Sequence, residues 1–330
     1  MEPAATPEEV RRSLADLSAS TWTLAAVGAA IEVGLPAALL EVSDVASLAG
    51  RVGVSEPLVR SLAEALVAAG MAVRTRDGFA SAPGLGPLST GLQAAALRAD
   101  VRSGLLQATG LFDAATRGSL GTGWSWSDER VLQAQGDTSA AAVELLETRL
   151  FPRMNGVLER LDSGEGAFLD VGTGVAAVTI ELCRRHPTLR AVGLEPLDAA
   201  RVLAQRNVRA AGMADRVEIR DQLVQELTET DSFDLAWLPG NFLGPDLLPV
   251  ALSSVYRALR PGGWVLNASL GGGGDDPASV TARLRAVLWG GDTTTPEQVR
   301  DLLDAVGFTE ITLFPRLSSG LVPMCARRAS

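Results

Sequence analysis

From residue 166 onward, apolar runs of strand-like composition alternate with stretches in which apolar residues have helical spacing. The strand-like runs read AFLDV, RAVGLEP, RVEIRD, FDLAWL and GWVLNASL. Strands that alternate with helices pair in parallel, because each helix returns the chain to the end at which the previous strand began. The sequence therefore predicts the α/β fold class, with helices covering both faces of a parallel sheet.

The segment AFLDVGTGVAA (167–177) ends its apolar strand with a carboxylate, Asp170, and continues through Gly172, Thr173 and Gly174. Glycine lets the backbone turn tightly and approach a ligand closely. The first backbone N–H groups of the following helix have no partner within that helix. Since ligands of open parallel sheets bind at the carboxyl ends of the strands, this segment predicts a ligand-binding loop.

Later strand ends also carry polar side chains. Glu195 ends the second strand, where a carboxylate can accept both hydroxyl groups of a ribose. Asp221 ends the third strand, where a carboxylate can accept a hydrogen bond from an adenine amino group. Leu238 and Pro239 bring the end of the fourth strand to the same edge. Together with Asp170, these residues predict a cofactor that contains a nucleoside.

Two nucleotide cofactors fit this glycine-rich loop. The run GTGVAA (172–177) also satisfies the loose dinucleotide pattern, with alanine in the third position. A carboxylate directly before the glycines would repel a pyrophosphate, whereas it would attract the ammonium and sulfonium groups of S-adenosylmethionine. Asp170 therefore favours S-adenosylmethionine as the cofactor.

The segment 167–270 resembles the class I S-adenosylmethionine-dependent methyltransferases. LDVGTGVA resembles their first motif, VGLEP their ribose-binding motif, IRDQ their adenine-contacting motif and ALRPGGWVL the turn before their fifth strand. Ala176 departs from the family, in which a third glycine is common. The resemblance implies an enzyme with a Rossmann-like seven-stranded sheet, whose last two strands, near FTEITLF and LVPMCAR, are antiparallel additions. It also implies that the cofactor is bound by Asp170, Gly172, Thr173, Gly174, Glu195, Pro196, Asp221, Gln222, Leu238 and Pro239.

The amino-terminal part predicts a mainly helical domain. Thr6 and Glu9 have the spacing of a capping box. The apolar stretch from Trp22 predicts a separate buried helix over about 22–32, which Glu32 interrupts before it could span a bilayer. A glycine run after the fifth strand-like segment, at 271–274, predicts a loop.

Residues 43–84 predict a winged helix. Helices over roughly 44–51 and 55–69 are separated by Gly53. The runs MAVRT and GFASA predict a hairpin with its turn at Asp77-Gly78. This region resembles the dimerisation domain of small-molecule O-methyltransferases, and the resemblance implies a homodimer.

The two resemblances divide the chain into a helical, winged-helix dimerisation domain over 1–155 and a Rossmann-like catalytic domain over 156–330. The net charge of −10 and the pI of about 4.8 argue against a nucleic acid partner, which needs clustered basic residues. Cys183 and Cys325 lack the paired spacing of a disulfide framework or a zinc cluster. These features predict a cytoplasmic protein without a metal or a membrane partner.

The O-methyltransferases that the chain resembles commonly use a histidine after the fourth strand to deprotonate a phenol, whereas this chain has WLPGNFLGPD there. His186 is the only histidine, and we expect it to be exposed at a helix end away from the strand ends. Arg153 and Asn241 are the candidates for holding an anionic group and for orienting a substrate oxygen. The candidates for other substrate contacts are Trp124, Met154, Trp237 and Phe242.

These observations predict transfer of a methyl group from S-adenosylmethionine to a small molecule of bacterial specialised metabolism, at an oxygen atom and without a catalytic histidine. Methylation of nitrogen or carbon stays open, because the sequence does not place a general base. A repurposed enzyme that binds the same cofactor for decarboxylation, hydroxylation or a pericyclic step is a second hypothesis. A ligand-binding regulator that uses the winged helix is a third, which the lack of a basic face disfavours.

Overall fold

The computed structural model divides the chain into two compact units, Met1–Thr109 and Gly110–Ser330. The predicted loop at 271–274 lies largely outside the residues that the structure describes. Those residues are 6–270, 274–291, 294–317 and 320–329.

The first unit is mainly helical and contains one hairpin. Its elements are α1 (Pro7–Glu32), α2 (Leu35–Ala38), α3 (Val45–Val52), α4 (Glu56–Ala68), β1 (Ala72–Thr75), β2 (Gly78–Ser81) and α5 (Gly91–Thr116), which continues past residue 109.

Helix α1 is a single element where the sequence predicted two. Thr6 and Glu9 form the predicted capping box, and the helix then runs unbroken to Glu32, because no glycine or proline interrupts residues 8–27. The expectation of a buried helix over 22–32 was wrong for Trp22, which is 76% exposed; burial begins at Val27. Within the described residues, α1 is the one helix that is long and apolar enough to cross a membrane, a test that core helices and amino-terminal signal sequences also pass.

Helices α3 and α4 and the β1–β2 hairpin confirm the helix, turn, helix and hairpin predicted from the sequence. Asp44 caps α3 by accepting a hydrogen bond from the backbone N–H of Ser47. Gly53 ends α3 with a left-handed φ of 68°. Apolar side chains from α1 to α4 and from both strands form one buried cluster, so the hairpin is part of the core of this unit.

The second unit contains the sheet. Its elements are α6 (Glu129–Ala140), α7 (Ala142–Leu145), α8 (Val157–Leu161), β3 (Ala167–Val171), α9 (Ala177–Arg185), β4 (Arg190–Leu194), α10 (Asp198–Ala210), β5 (Val217–Arg220), β6 (Phe233–Leu238), α11 (Leu247–Ala258), β7 (Leu259–Leu270), α12 (Pro277–Trp289), α13 (Pro296–Val306), β8 (Phe308–Leu313) and β9 (Leu321–Arg328).

The seven strands form one sheet in the order β5-β4-β3-β6-β7-β9-β8. The first five strands in this order pair in parallel, and β9 pairs antiparallel with both β7 and β8. The fold class predicted from the sequence, including the two antiparallel additions, is confirmed. The order of strands reverses between β3 and β6, and a crevice at such a point is where sheets of this kind bind ligands.

Alternate residues of β7 point to opposite faces of the sheet, and helices bury both faces. Trp264 and Leu266 lie in a buried cluster with α8, α9 and α10 on one face. Val265 lies in a second cluster with α11 and α13 on the other face. Burial on both faces accounts for the nearly continuous apolar character of this strand.

Residues 110–155 group with the sheet, whereas the sequence placed the boundary between domains at 155/156. Helix α6 packs against α9 and α10. Gly136 on α6 lies so close to the glycine loop that an added Cβ would be 2.1 Å from the side chain of Val175. The backbone of α6 at Gly136 therefore packs directly against the side chain of Val175 in the loop.

We predict that Gly136→Ala destabilises the protein and that the matched change Gly104→Ala does not. Both glycines lie within helices, but an added Cβ at Gly104 meets no atom within 4 Å. Crowding against Val175 should cost about 1–3 kcal/mol of unfolding free energy. Better helix propensity should stabilise the Gly104 variant by roughly 0.5–1 kcal/mol. Urea unfolding measures both, and equal midpoints would contradict the close packing of α6 on the loop.

Candidate functional site

The carboxyl ends of the parallel strands bring the predicted site residues to one edge of the sheet. Asp170 on β3 lies opposite Gly193 on β4 and Trp237 on β6. The backbone N–H of Glu195 donates to the carbonyl of Arg220 at the end of β5, at 3.0 Å. The polar residues that follow β3, β4 and β5 are therefore neighbours, as the sequence predicted.

Asp170 lies behind the glycine loop and is only 2% exposed. Its Oδ2 accepts hydrogen bonds from the hydroxyls of Thr173, at 2.7 Å, and Thr179, at 2.6 Å. Burial raises the pKa of Asp170 to about 6, although the bonds from Thr179 and Thr173 act in the opposite direction. Through these bonds Asp170 fastens the loop to the first turn of α9, and its contact with the cofactor stays a prediction.

Glu195 holds the same loop from the next strand. Its Oε2 accepts from the backbone N–H of Gly174 at 2.8 Å, and its Oε1 accepts from the backbone N–H of Leu197 at 2.9 Å. Burial raises its pKa to about 7, against these two hydrogen bonds, which lower it. A carboxylate has about four acceptor positions, so two stay available for the hydroxyls of a ribose.

Asp221 is exposed and forms an ion pair with Arg201, at 3.2 Å. The same guanidinium donates to the carbonyl oxygens of Glu195 and Pro196, at 3.2 and 3.3 Å. Arg201 therefore ties the ends of β4 and β5 together. It also offsets one of the three negative charges that the sequence placed along this edge.

The remaining predicted cofactor residues differ in exposure. Pro196 is exposed, and Gln222 donates its side-chain N–H to the carbonyl of Glu226 at 3.0 Å. Leu238 and Pro239 are buried at the end of β6.

The glycine loop has a backbone conformation that leaves room for a ligand. Gly172 and Gly174 have left-handed φ values of 65° and 59°, which favour glycine. An added Cβ at either position would meet no atom within 4 Å, so the loop presents bare backbone to open space. Ala176 is also left-handed, with φ 63°, in keeping with the glycine common at this place in the family. The loop and Glu195 together fit a nucleoside with a polar tail.

Three aromatic side chains form a cluster beyond the end of β6, which we call the aromatic wall: Trp124, Phe242 and Trp289. The rings of Phe242 and Trp289 are stacked, with centroids 5.0 Å apart and planes 5° apart. Trp124 contacts both rings edge-on. Trp124 also packs beside Val175 of the glycine loop, so the wall reaches from the loop to α12.

The other substrate candidates lie at different depths. Met154 is 1% exposed and fully enclosed in the core, whereas Trp237 is partly buried beside Asp170. Asn241 is 7% exposed in the turn that carries Phe242. Arg153 lies over the ring of Phe314, at 5.5 Å from its centroid, beside β8 at the far edge of the sheet from β5.

His186 ends α9, at the edge of the sheet opposite the strands' carboxyl ends. The expectation that it is exposed was wrong, since it is 5% exposed. Its Nδ1 lies 2.7 Å from Oδ1 of Asp162, and its Nε2 lies 3.5 Å from Oε1 of Glu147. The side chain is enclosed because residues 146–150 pass over the end of α9. Within the described ranges, no three His, Cys, Asp or Glu side chains are grouped so that they could hold a metal ion.

Sequence reasoning missed four residues that shape this site. Thr179 and Arg201 lie one turn into helices, where their contacts with strand-end carboxylates have no local pattern. Trp289 comes from a distant helix, and only tertiary packing brings it to Phe242. Asn267 could have been found from the sequence, because its carboxamide interrupts the apolar run WVLNASL.

Comparison with known proteins identifies the domain. A family model described as "Methyltransferase domain" matches residues 168–263. A curated relative, the release factor glutamine methyltransferase of Nitratidesulfovibrio vulgaris, is 33% identical over 79 residues. That match covers 24% of this chain, and the chain spans about a quarter (27%) of the relative's length.

Two solved structures match nearly the whole chain. One is a putative O-methyltransferase from Nostoc punctiforme, with a TM-score of 0.65 and 17% identity over 98% of this chain and 100% of that one. The other is human N-acetylserotonin methyltransferase in complex with S-adenosylmethionine, with a TM-score of 0.62 and 18% identity over the full length of both chains. At such identity the likeness shows the fold. The chain has the class I methyltransferase fold, residues 168–263 match the methyltransferase domain model, and S-adenosylmethionine is the cofactor of that enzyme class.

The raised pKa values of Glu195 and Asp170 predict how stability depends on pH. Between about pH 4 and pH 7 these two groups bind more protons in the folded protein than in the unfolded chain, so their contribution to the free energy of unfolding should fall as pH rises. The unfavourable contribution of Glu195 is complete above its folded pKa and amounts to about 3 kcal/mol.

Glu195→Gln replaces this carboxylate with a neutral group of the same shape, and should reduce the fall in unfolding free energy between pH 5 and pH 8. Urea titrations at a series of pH values measure this fall in the free energy of unfolding. The control Glu218→Gln, at an exposed ion pair with Arg220, should keep the fall. An unchanged slope in the Glu195 variant would contradict a buried, protonatable carboxyl group at this position.

Proposed function

We propose that this protein is an S-adenosylmethionine-dependent methyltransferase that acts at an oxygen atom of a small molecule in bacterial specialised metabolism. The observation that carries the proposal is the bare glycine loop at Gly172 and Gly174, held open by Asp170 and Glu195. The family match over this loop and the two O-methyltransferase-like neighbours support it. We place the protein in the cytoplasm, without a nucleic acid or membrane partner.

We propose that the donor lies across the ends of β3 to β6. Glu195 accepts the ribose hydroxyls at its two remaining acceptor positions, and Asp221 and Gln222 lie beside the adenine. The glycine loop holds the methionine part against bare backbone, and Leu238 and Pro239 close the floor. When bound, the donor supplies an electrophilic methyl group on a sulfonium. The chain's own contribution is to fix that methyl group beside the acceptor and to exclude water.

On the acceptor side, the aromatic wall offers an apolar surface, and Asn241 offers a carboxamide for orienting an oxygen. Neither the three aromatic side chains of the wall nor the carboxamide of Asn241 can act as a general base. We therefore propose an acceptor whose oxygen is already ionised near neutral pH. Alignment of that oxygen with the methyl group then provides most of the rate enhancement.

The proposal is tested by incubating the protein with methyl-labelled S-adenosylmethionine and a small-molecule extract of its host. We expect S-adenosylhomocysteine to be released in the same amount as a labelled product, which mass spectrometry identifies by its added methyl group. Consumption of an extract component without release of S-adenosylhomocysteine would support the repurposed enzyme instead. No change in either would contradict catalysis.

Asp170→Asn and Glu195→Ala should weaken the binding of S-adenosylmethionine by roughly 1–3 kcal/mol, because each leaves hydrogen-bond donors of the loop unpaired. Isothermal calorimetry measures this affinity directly. The matched control Glu218→Ala removes an exposed carboxylate of β5 outside the site and should bind normally. Wild-type affinity in both loop variants would contradict the assignment of the donor site.

We also propose a homodimer formed through α1. The exposed residues Val10, Leu14, Leu17 and Leu24 are spaced four, three and seven residues apart, and so lie along one stripe of the helix. An apolar stripe of this spacing is typical of helices that pack against another helix. Its exposure in the single chain supports a second copy as the partner.

Replacing Leu14 and Leu17 together by Glu should convert the dimer to a monomer, because burying two carboxylates at a helix interface is unfavourable. Light scattering coupled to gel filtration gives the mass. The control is Ala19→Glu, which adds a single charge of the same sign on the opposite side of the exposed helix and should leave the dimer intact. A monomeric wild-type protein would refute the proposal.

A further inference from the structure

Strand β7 contains two buried polar side chains, Asn267 and Ser269, which are 1% and 3% exposed. They lie two positions apart and so face the same side of the sheet. Neither Oδ1 of Asn267 nor Oγ of Ser269 has a hydrogen-bond partner among the described residues. A buried polar atom without a partner lowers stability, and an apolar side chain would fill this place better. Asn267 therefore needs an explanation other than packing.

The amide group of Asn267 supplies that explanation. Its Nδ2 donates a hydrogen bond to the carbonyl of Leu238, the last residue of β6, at 2.8 Å. Leu238 and Asn267 are paired across the two strands, so this side chain fixes the end of β6 from beside it. An added Cβ at Gly240 would lie 2.8 Å from the same Nδ2. The carboxamide thus lies directly under the turn over 240–242.

The other side of the turn is equally close-packed. An added Cβ at Gly291 would lie 2.2 Å from the carbonyl oxygen of Asn241, and one at Gly290 would lie 3.4 Å from that of Phe242. The ring of Phe242 stacks on Trp289, the residue before this glycine pair. The turn is therefore held between Asn267 on one side and residues 289–291 on the other.

We propose that Asn267 is a positioning residue for the acceptor side of the site. It does not reach the acceptor itself, but it sets where the turn places Asn241 and Phe242. Without the bond to Leu238, the turn would be fixed from one side only. The catalytic consequence rests on the proposed function, whereas the placement of the turn can be tested without it.

The test compares Asn267→Ala with the matched control Ser269→Ala, on the same face of the same strand. Near-ultraviolet circular dichroism reports the packing of the six tryptophans, which include Trp124 and Trp289 of the aromatic wall. We expect Asn267→Ala to lose much of this signal and the control to keep it. In turnover with the acceptor, Asn267→Ala should raise KM or lower kcat by about tenfold, since small displacements in a site are costly. The affinity for S-adenosylmethionine should change far less.

Asn267→Asp provides a second variant of nearly the same shape. At alkaline pH, its carboxylate would oppose the carbonyl of Leu238, and the tryptophan signal should fall. At lower pH, a protonated carboxyl group can donate to that carbonyl, so the signal should recover relative to wild type measured in parallel. A void left by lost packing would not show this recovery. This variant decides the question if Asn267→Ala does not fold.

The proposal is overturned if Asn267→Ala and Ser269→Ala have the same tryptophan signal, or if the Asp variant does not respond to pH. It is also overturned if donor affinity falls as much as acceptor turnover. A wild-type protein without transfer activity would refute the proposed function alone. In that case the spectroscopic and donor-binding measurements still decide the role of Asn267.

Discussion

The site depends on two buried carboxylates that hold one loop from behind. Asp170 accepts the hydroxyls of Thr173 and Thr179, and Glu195 accepts the backbone N–H of Gly174. These bonds stabilise a left-handed backbone at both glycines and leave their open side free of side chains. The stability cost of burying two carboxyl groups is visible in their raised pKa values. Such a cost is typical of functional sites, where a fixed shape matters more than stability.

Negative side chains gather at the carboxyl ends of the strands, as the electrostatic argument made from the sequence predicted. Asp170 also accepts hydrogen bonds from Thr173 and Thr179, and Arg201 forms an ion pair with Asp221. The features that support a cofactor site here are the bare backbone of the glycine loop and the free acceptor positions of Glu195. On the proposed acceptor side, we expect the aromatic wall and the turn at Asn241 to fix the orientation of the substrate. This division suits a reaction that depends on alignment more than on proton transfer.

Local patterns in the sequence were enough to predict the sheet, the capping box at Thr6 and the strand-end residues. The alternation of strands and helices fixes the parallel order, and Thr295 with Gln298 begins α13 as the same kind of capping box seen at Thr6. Contacts between distant segments could not be predicted. Trp289 joins Phe242, and residues 146–150 enclose His186, only through tertiary packing. The exposure of α1 could not be predicted either. An apolar stripe that is exposed has the same sequence pattern as one that is buried against a partner.

The most direct measurement is a crystal structure of the protein with S-adenosylhomocysteine, the product form of the donor. We predict that the ribose hydroxyls lie within hydrogen-bond distance of Glu195 and that the amino-acid part follows the backbone of Gly172 and Gly174. Binding of the nucleoside elsewhere, or a nicotinamide dinucleotide bound in its place along this loop, would contradict the account.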